Sequence, residues 1–117
     1  MMALAKTGLG FPVSVSANST GTIITVENSQ KVYVRGLLIH NLDTTANTTF
    51  HVYVVANGGS PATSNKIIRG AMSGSDTAFI EFAYPITLTT NGDTIRVEND
   101  NATNAITVLP LGDKESS

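Results

Sequence analysis

Apolar and polar residues alternate with period two along nearly the whole chain, and nowhere does a helical period persist. The segments "PVSVSA" (12–17), "GTIITVE" (21–27), "KVYVRGLLIHNL" (31–42) and "TTFHVYVVA" (48–56) read as strands. So do "NKIIRGAM" (65–72), "TAFIEFAYPITL" (77–88), "TIRVEN" (94–99) and "AITVLPL" (105–111), with 77–88 either two strands or one bent near Pro85. Polar turns such as "DTTAN", "NGGSPATSN", "SGSD" and "DNATN" separate them. Turn signals roughly every ten residues predict an all-β protein, an antiparallel β-sandwich of about eight strands and jelly-roll-like form. The expected division is an extended N-terminal arm (1–11), the sandwich (12–111) and a polar, mobile C-terminal tail (112–117).

The faces of these strands differ. In 94–99, Ile95 and Val97 oppose Thr94, Arg96 and Glu98, which is the pattern of a strand with one wet face. Strict alternation in 32–42 places Val32, Val34, Leu38 and Leu42 on one face, with Tyr33, Leu37 and Ile39 on the other. In 50–56, Phe50, Val52 and Val54 oppose Tyr53 and Val55. A sandwich leaves one face of each sheet in water, so apolar residues on both faces imply a further cover. Either the arm, through Leu4, Leu9 and Phe11, or a neighbouring subunit is expected to supply it. The expected subunit interface is therefore Leu4, Leu9, Phe11, Tyr33, Leu37, Ile39, Tyr53 and Val55.

One segment recurs. "GTIITVEN" (21–28) and "GDTIRVEN" (92–99) share Gly, Ile, Val, Glu and Asn at equivalent positions. The shared residues fit a glycine turn leading into a half-buried strand, so the echo predicts one structural unit used twice. A calcium site built from Asp93, Glu98 and Asp100 is the sharper alternative, but "ENDN" lacks the ligand spacing of a calcium loop.

Composition narrows the function. Charged residues make up 14% of the chain, against about 25% in ordinary domains. Thr (16), Ser (10) and Asn (10) take their place on strand faces and in turns. The net charge of −2 and seven scattered Lys and Arg offer no stripe for phosphates, so no nucleic-acid partner is expected. The absence of cysteine excludes disulfides and thiolate metal sites. The start "MMALAKTGLGFP" lacks the apolar run of a signal peptide, and no stretch has membrane-spanning length, so synthesis in a cytoplasm is expected.

No catalytic constellation emerges, and no enzyme activity, metal or cofactor is expected. His40 precedes Asp43 in "HNLD", but no "GxSxG" elbow supplies a nucleophile. His40 and His51 sit within strands, and no third ligand stands at zinc-site spacing. Glu81, in "AFIEFAY", calls for an arginine partner if its face is inward. "GLG" (8–10) is too short for a dinucleotide loop. Aromatic content of 6% without tryptophan weakens a carbohydrate-binding module, the alternative from another class.

"KVYVRGLLIHNLDTTANTTFHVYVVANGG" followed by "FIEFAYPITLTTNGDTIRVEND" resembles small β-sandwich virion proteins of tailed bacteriophages, over residues 20 to 110. The shared features are the "VRGLLIHN" strand, the "HVYVV" strand, a Gly-rich loop and the late pattern from Ile86 through Gly92 and Asp93 to Ile95 and Val97. The resemblance implies a jelly-roll-like fold and a capsid cement or decoration role. It further implies a homo-oligomer, a trimer by expectation, bound to the major capsid protein or another virion protein on the outer head. A neck, tail or fibre-base component is the alternative within the same class. The resemblance carries over no site residues.

Overall fold

A computed structural model describes residues 5 to 116. Nine strands are described: β1 (Ala5–Gly8), β2 (Val13–Val15), β3 (Ser19–Thr25), β4 (Gln30–Asn41), β5 (Thr48–Val55), β6 (Lys66–Met72), β7 (Thr77–Leu88), β8 (Thr94–Asn99) and β9 (Ile106–Ser116). One 3-10 turn, Thr63–Asn65, interrupts the β5–β6 loop. Each segment read as a strand from its alternation is one, and 77–88 is a single strand. The strands form two sheets, ordered β1-β9-β4-β7 and β3-β8-β5-β6, with β2 also pairing β9. Every pairing is antiparallel. Taking β2 with β9, β4 and β7 gives the strand order of a jelly roll.

The core lies between the sheets. Val32, Val34, Leu37 and Ile39 of β4 meet Phe50 and Val52 of β5 and Ile95 and Val97 of β8, all 2% exposed or less. Gly70 lies opposite Phe50 in the β5–β6 pair, and the phenyl ring fills the space a Cβ would need. Gly70→Ala must therefore push a core aromatic aside. We expect it to cost about 1–3 kcal/mol, measurable as a lower urea midpoint at unchanged slope.

The repeated segments pair with one another. Ile24 lies opposite Ile95, and Gly21 opposite Val97. The Gly92 amide donates to the Val26 carbonyl (2.8 Å), so the glycine of each copy faces the valine of the other. The echo is thus structural, although Gly21 sits inside β3 and only Gly92 (φ +92°) makes a turn.

Both ends of the chain join the first sheet, and the C-terminal segment departs from expectation in doing so. The segment 112–116 is not a loose tail but continues β9, pairing with β1 and with the start of β4. The arm residues Ala5–Gly8 lie against their own β9.

A polar network closes one end of the sandwich, and two loops build it in the same way. Asn41 Oδ1 accepts from the Asp43 amide (3.1 Å), and Asn99 Oδ1 from the Asn101 amide (2.9 Å). Asp43 Oδ1 accepts from the Thr45 and Ala46 amides (3.0 and 2.9 Å). Asn101 Oδ1 does the same for Thr103 and Asn104 (2.9 and 2.8 Å). Asn41 Nδ2 donates to the Ala46 carbonyl, and Asn99 Nδ2 to that of Asn104. The loops then lock together: Asn101 and Asn104 each donate an Nδ2 proton to Asp43 Oδ2, both at 3.1 Å. Asn41 and Asn99 are fully buried, and this network is how their polar groups are satisfied.

Candidate assembly surface

The outward face of the sheet β1-β9-β4-β7 is set by a bulge. Register shifts between Val34 and Gly36 against both neighbours: Arg35 is the extra residue against β9, whereas on the β7 side the longer stretch 82–85 belongs to β7. Beyond it the alternation resumes with its parity reversed. Val32, Val34, Leu37 and Ile39 therefore all point inward, and Leu38 (36% exposed) and Leu42 (47%) point outward. This corrects the face assignment drawn from strict alternation.

Cross-strand partners extend the outward face. Leu38 pairs with Phe79 on β7 and Leu109 on β9, giving an apolar row across three strands. The next row is Glu81, Gly36 and Leu111. Gly36 is required there: a Cβ would lie 2.5 Å from the Ile80 carbonyl and 3.5 Å from the Phe79 ring. On the other side a polar row bounds the patch, where His40 Nδ1 meets Thr77 Oγ1 at 2.8 Å.

Two hollows flank β7. At the bulge, Phe82 to Pro85 stand against the single residue Arg35. This leaves a hollow of about 350 Å³ lined by Phe79, Pro85 and Leu111 together with Arg35 and Glu81. Arg35 reaches Asp113 at 3.2 Å in an exposed pair. On the far side an open apolar cleft of about 620 Å³ separates β7 from β6, lined by Val54, Ile67, Ile68, Ile80, Phe82 and Ile86. β6 and β7 are the outer strands of their sheets, so both free edges flank this cleft. Half-buried core residues are thus open to solvent beside unpaired backbone, a surface suited to association. Tyr84, at the tip of the bulge, is 87% exposed.

The residues expected at an interface are dispersed. Leu4 lies outside the described residues. Leu9 is buried in the core, and Phe11 is exposed (87%). Tyr33 is half-buried, its hydroxyl 3.4 Å from Glu115 Oε2. Leu37 and Ile39 are core residues, placed inward by the bulge. Tyr53 and Val55 do stand on the outer face of the second sheet, but both are covered. Lys66 lies over the Tyr53 ring, and the turn at Gly59 packs on Val55. Glu81 faces outward and is exposed, so no buried arginine partner is required. His40 and Asp43 do not form a catalytic pair, because Asp43 is committed to the buried network. The patch residues Leu38, Phe79, Leu109 and Leu111 were missed. Gly36, an isolated glycine within a strand pattern, was the available sign of a bulge.

No family model matches the chain, and no curated protein sequence does. Solved structures share the fold. A protein of Bacillus endospore appendages, described as disulfide-linked pili, superposes with TM-score 0.51 at 16% identity, over 97% of this chain and 88% of that one. The T=13 particle protein of infectious bursal disease virus superposes with TM-score 0.51 at 8% identity. It covers 97% of this chain, which spans only 31% of the viral one.

Proposed function

We propose that this chain is a non-enzymatic structural subunit of an assembled particle, acting as a capsid cement or decoration protein on a tailed-phage head. The carrying observation is the apolar row Phe79–Leu38–Leu109 beside a hollow and an open sheet edge. A second copy of the chain is the partner that covers it, in a homo-oligomer that we take to be a trimer. Further contacts with the major capsid protein would then tie shell subunits together, because several weak contacts made at once bind strongly. The fold shared with a viral particle protein and the resemblance of the "VRGLLIHN" and "HVYVV" strands support this reading.

A pilus-like filament subunit is the second reading, favoured by the near-complete mutual coverage with the spore-appendage protein. Having no cysteine, this chain would have to hold such a filament together without disulfides.

Sedimentation velocity over a concentration series tests the self-contact. The wild-type chain is expected to form a discrete oligomer. Phe79→Lys removes an exposed side chain whose burial is worth about 1.5–3 kcal/mol, so it should weaken association about tenfold or more with little change in Tm. A wild-type chain that stays monomeric at its highest soluble concentration and ignores expanded shells overturns the proposal. Filaments instead of closed oligomers would favour the pilus-like reading.

A further inference from the structure

The other sheet carries a different feature on its outer face. His51 of β5 lies directly opposite Glu98 of β8, and Asp100 follows two residues later on the same side. The Asp100 amide donates to the Thr49 carbonyl at 3.0 Å, which anchors its backbone beside the strand that carries the histidine. We propose that His51, Glu98 and Asp100 form a binding site for a divalent transition-metal ion of the zinc class.

The distances suit a shared ion. His51 Nδ1 is 2.9 Å from Glu98 Oε1 and 3.6 Å from Asp100 Oδ2. The three donor atoms all lie within 4.8 Å of one another. Donors sharing an ion at bonds of about 2.0–2.1 Å stand roughly 3.0–3.4 Å apart, between the two observed separations.

The state of the histidine is the second observation. His51 is nine-tenths buried (9% exposed), and its Nδ1 has no hydrogen-bond partner. Glu98 Oε1 is near enough for an ion pair but lies off the direction of the ring nitrogen's bond. A buried nitrogen without a partner is costly, and an ion between it and the carboxylates removes that cost. Tyr53 donates its hydroxyl proton to Glu98 Oε1 (3.0 Å), holding the carboxylate as an outer-shell group does.

One imidazole with two carboxylates selects the ion. Calcium takes six to eight oxygens, more than are here, while an imidazole nitrogen favours zinc and its neighbours. The Glu98 and Asp100 side chains are 34% and 42% exposed, so the remaining coordination position opens to solvent. Arg69 opposite His51, Arg96 on β8 and Lys66 over Tyr53 are the cations of this face. The rival arrangement is a protonated His51 held between two carboxylates with no metal.

Calorimetric titration of the chelator-treated full chain with zinc chloride separates the two. One saturable site per chain is expected, with a higher Tm and a displaced His51 Nδ1 resonance in nitrogen-15 spectra, and no response to calcium chloride. His51→Phe, which keeps a ring in place, and Asp100→Asn, at the exposed rim, should each weaken zinc binding about tenfold or more. His40→Ala should leave it unchanged. Absence of a one-to-one zinc site, or binding that survives Asp100→Asn with the His51 resonance unmoved, overturns the proposal. These readouts concern the metal alone and do not depend on whether the chain assembles.

Discussion

Replacing Asp43 with asparagine is expected to lower the melting temperature by about 5 °C or more. The reason lies in which atom each twin loop presents to the other. Asp43 Oδ1 caps its own loop, a task an amide oxygen does equally well, as Asn101 shows in the second loop. Oδ2 is different, because the Asn101 and Asn104 amides both donate to it. Asparagine at 43 turns that acceptor into a donor facing two donors. Leaving the buried Asn101 amide without this acceptor costs about 1–3 kcal/mol, while the exposed Asn104 amide can turn to water and loses less. The pairing suggests its own rescue. Asp43→Asn combined with Asn101→Asp restores one donor opposite one acceptor, and the double variant should regain more than half of the lost melting temperature. A strictly additive double variant would show that the loops do not interact as described.

The same carboxylate sets an acid limit. The Ala46 and Thr45 amides, then the Asn101 and Asn104 side chains, hold the Asp43 pKa well below the ordinary carboxylate range, with burial opposing. A group whose folded pKa is depressed binds its proton more readily in the unfolded chain. Its stabilisation is therefore full above the unfolded value of about 3.9 and declines as pH falls below it. Urea midpoints measured from pH 5 downward should fall below about pH 4, and fall less steeply in Asp43→Asn. An equal acid slope in both proteins would assign acid sensitivity to other carboxylates.

How much of this could be read from the chain depends on the range of the interaction. Alternation is local, and it located eight strands with bounds close to those in the structure, except that the last strand runs on through the polar residues to Ser116. The internal echo was legible for the same reason, since Ile24, Val26, Ile95 and Val97 bury the same side of similar strands. The second duplication was not. Residues 41–46 and 99–104 read "NLDTTA" and "NDNATN", and only backbone bonding reveals Asn41 and Asn99, or Asp43 and Asn101, as equivalents. The His51 cluster was hidden by distance along the chain. Its members lie 47 residues or more apart (98 − 51) or on one strand end, and strand pairing alone brings them together. Chemistry that depends on register is invisible until the register is known.

The largest error has a single residue as its cause, and two deletions expose it. Counting Arg35 as an ordinary strand position put Leu37 and Ile39 outside, whereas both are fully buried. Arg35 is the surplus residue against β9, and the β7 segment 82–85 already loops past it, so removing it should leave Val34 inward, Gly36 outward and Leu37 inward. That variant loses the exposed Arg35–Asp113 pair, worth about 0–1 kcal/mol, together with the fit around the bulge. We expect it to fold. Deleting Leu38, three positions along, has no bulge to absorb it. Ile39 would turn to solvent, His40 would enter the core, and Asn41 would leave the network that satisfies it. Removing a buried isoleucine from the core alone costs about 2–5 kcal/mol, and stranding the polar groups around Asn41 adds about 1–3 kcal/mol for each. Together these approach the whole stability of an ordinary domain, about 5–15 kcal/mol. Circular dichroism and urea titration of the two deletions should therefore diverge, one cooperative and the other largely unfolded. Equal loss in both would mean that Arg35 is not the residue that resets the faces of β4.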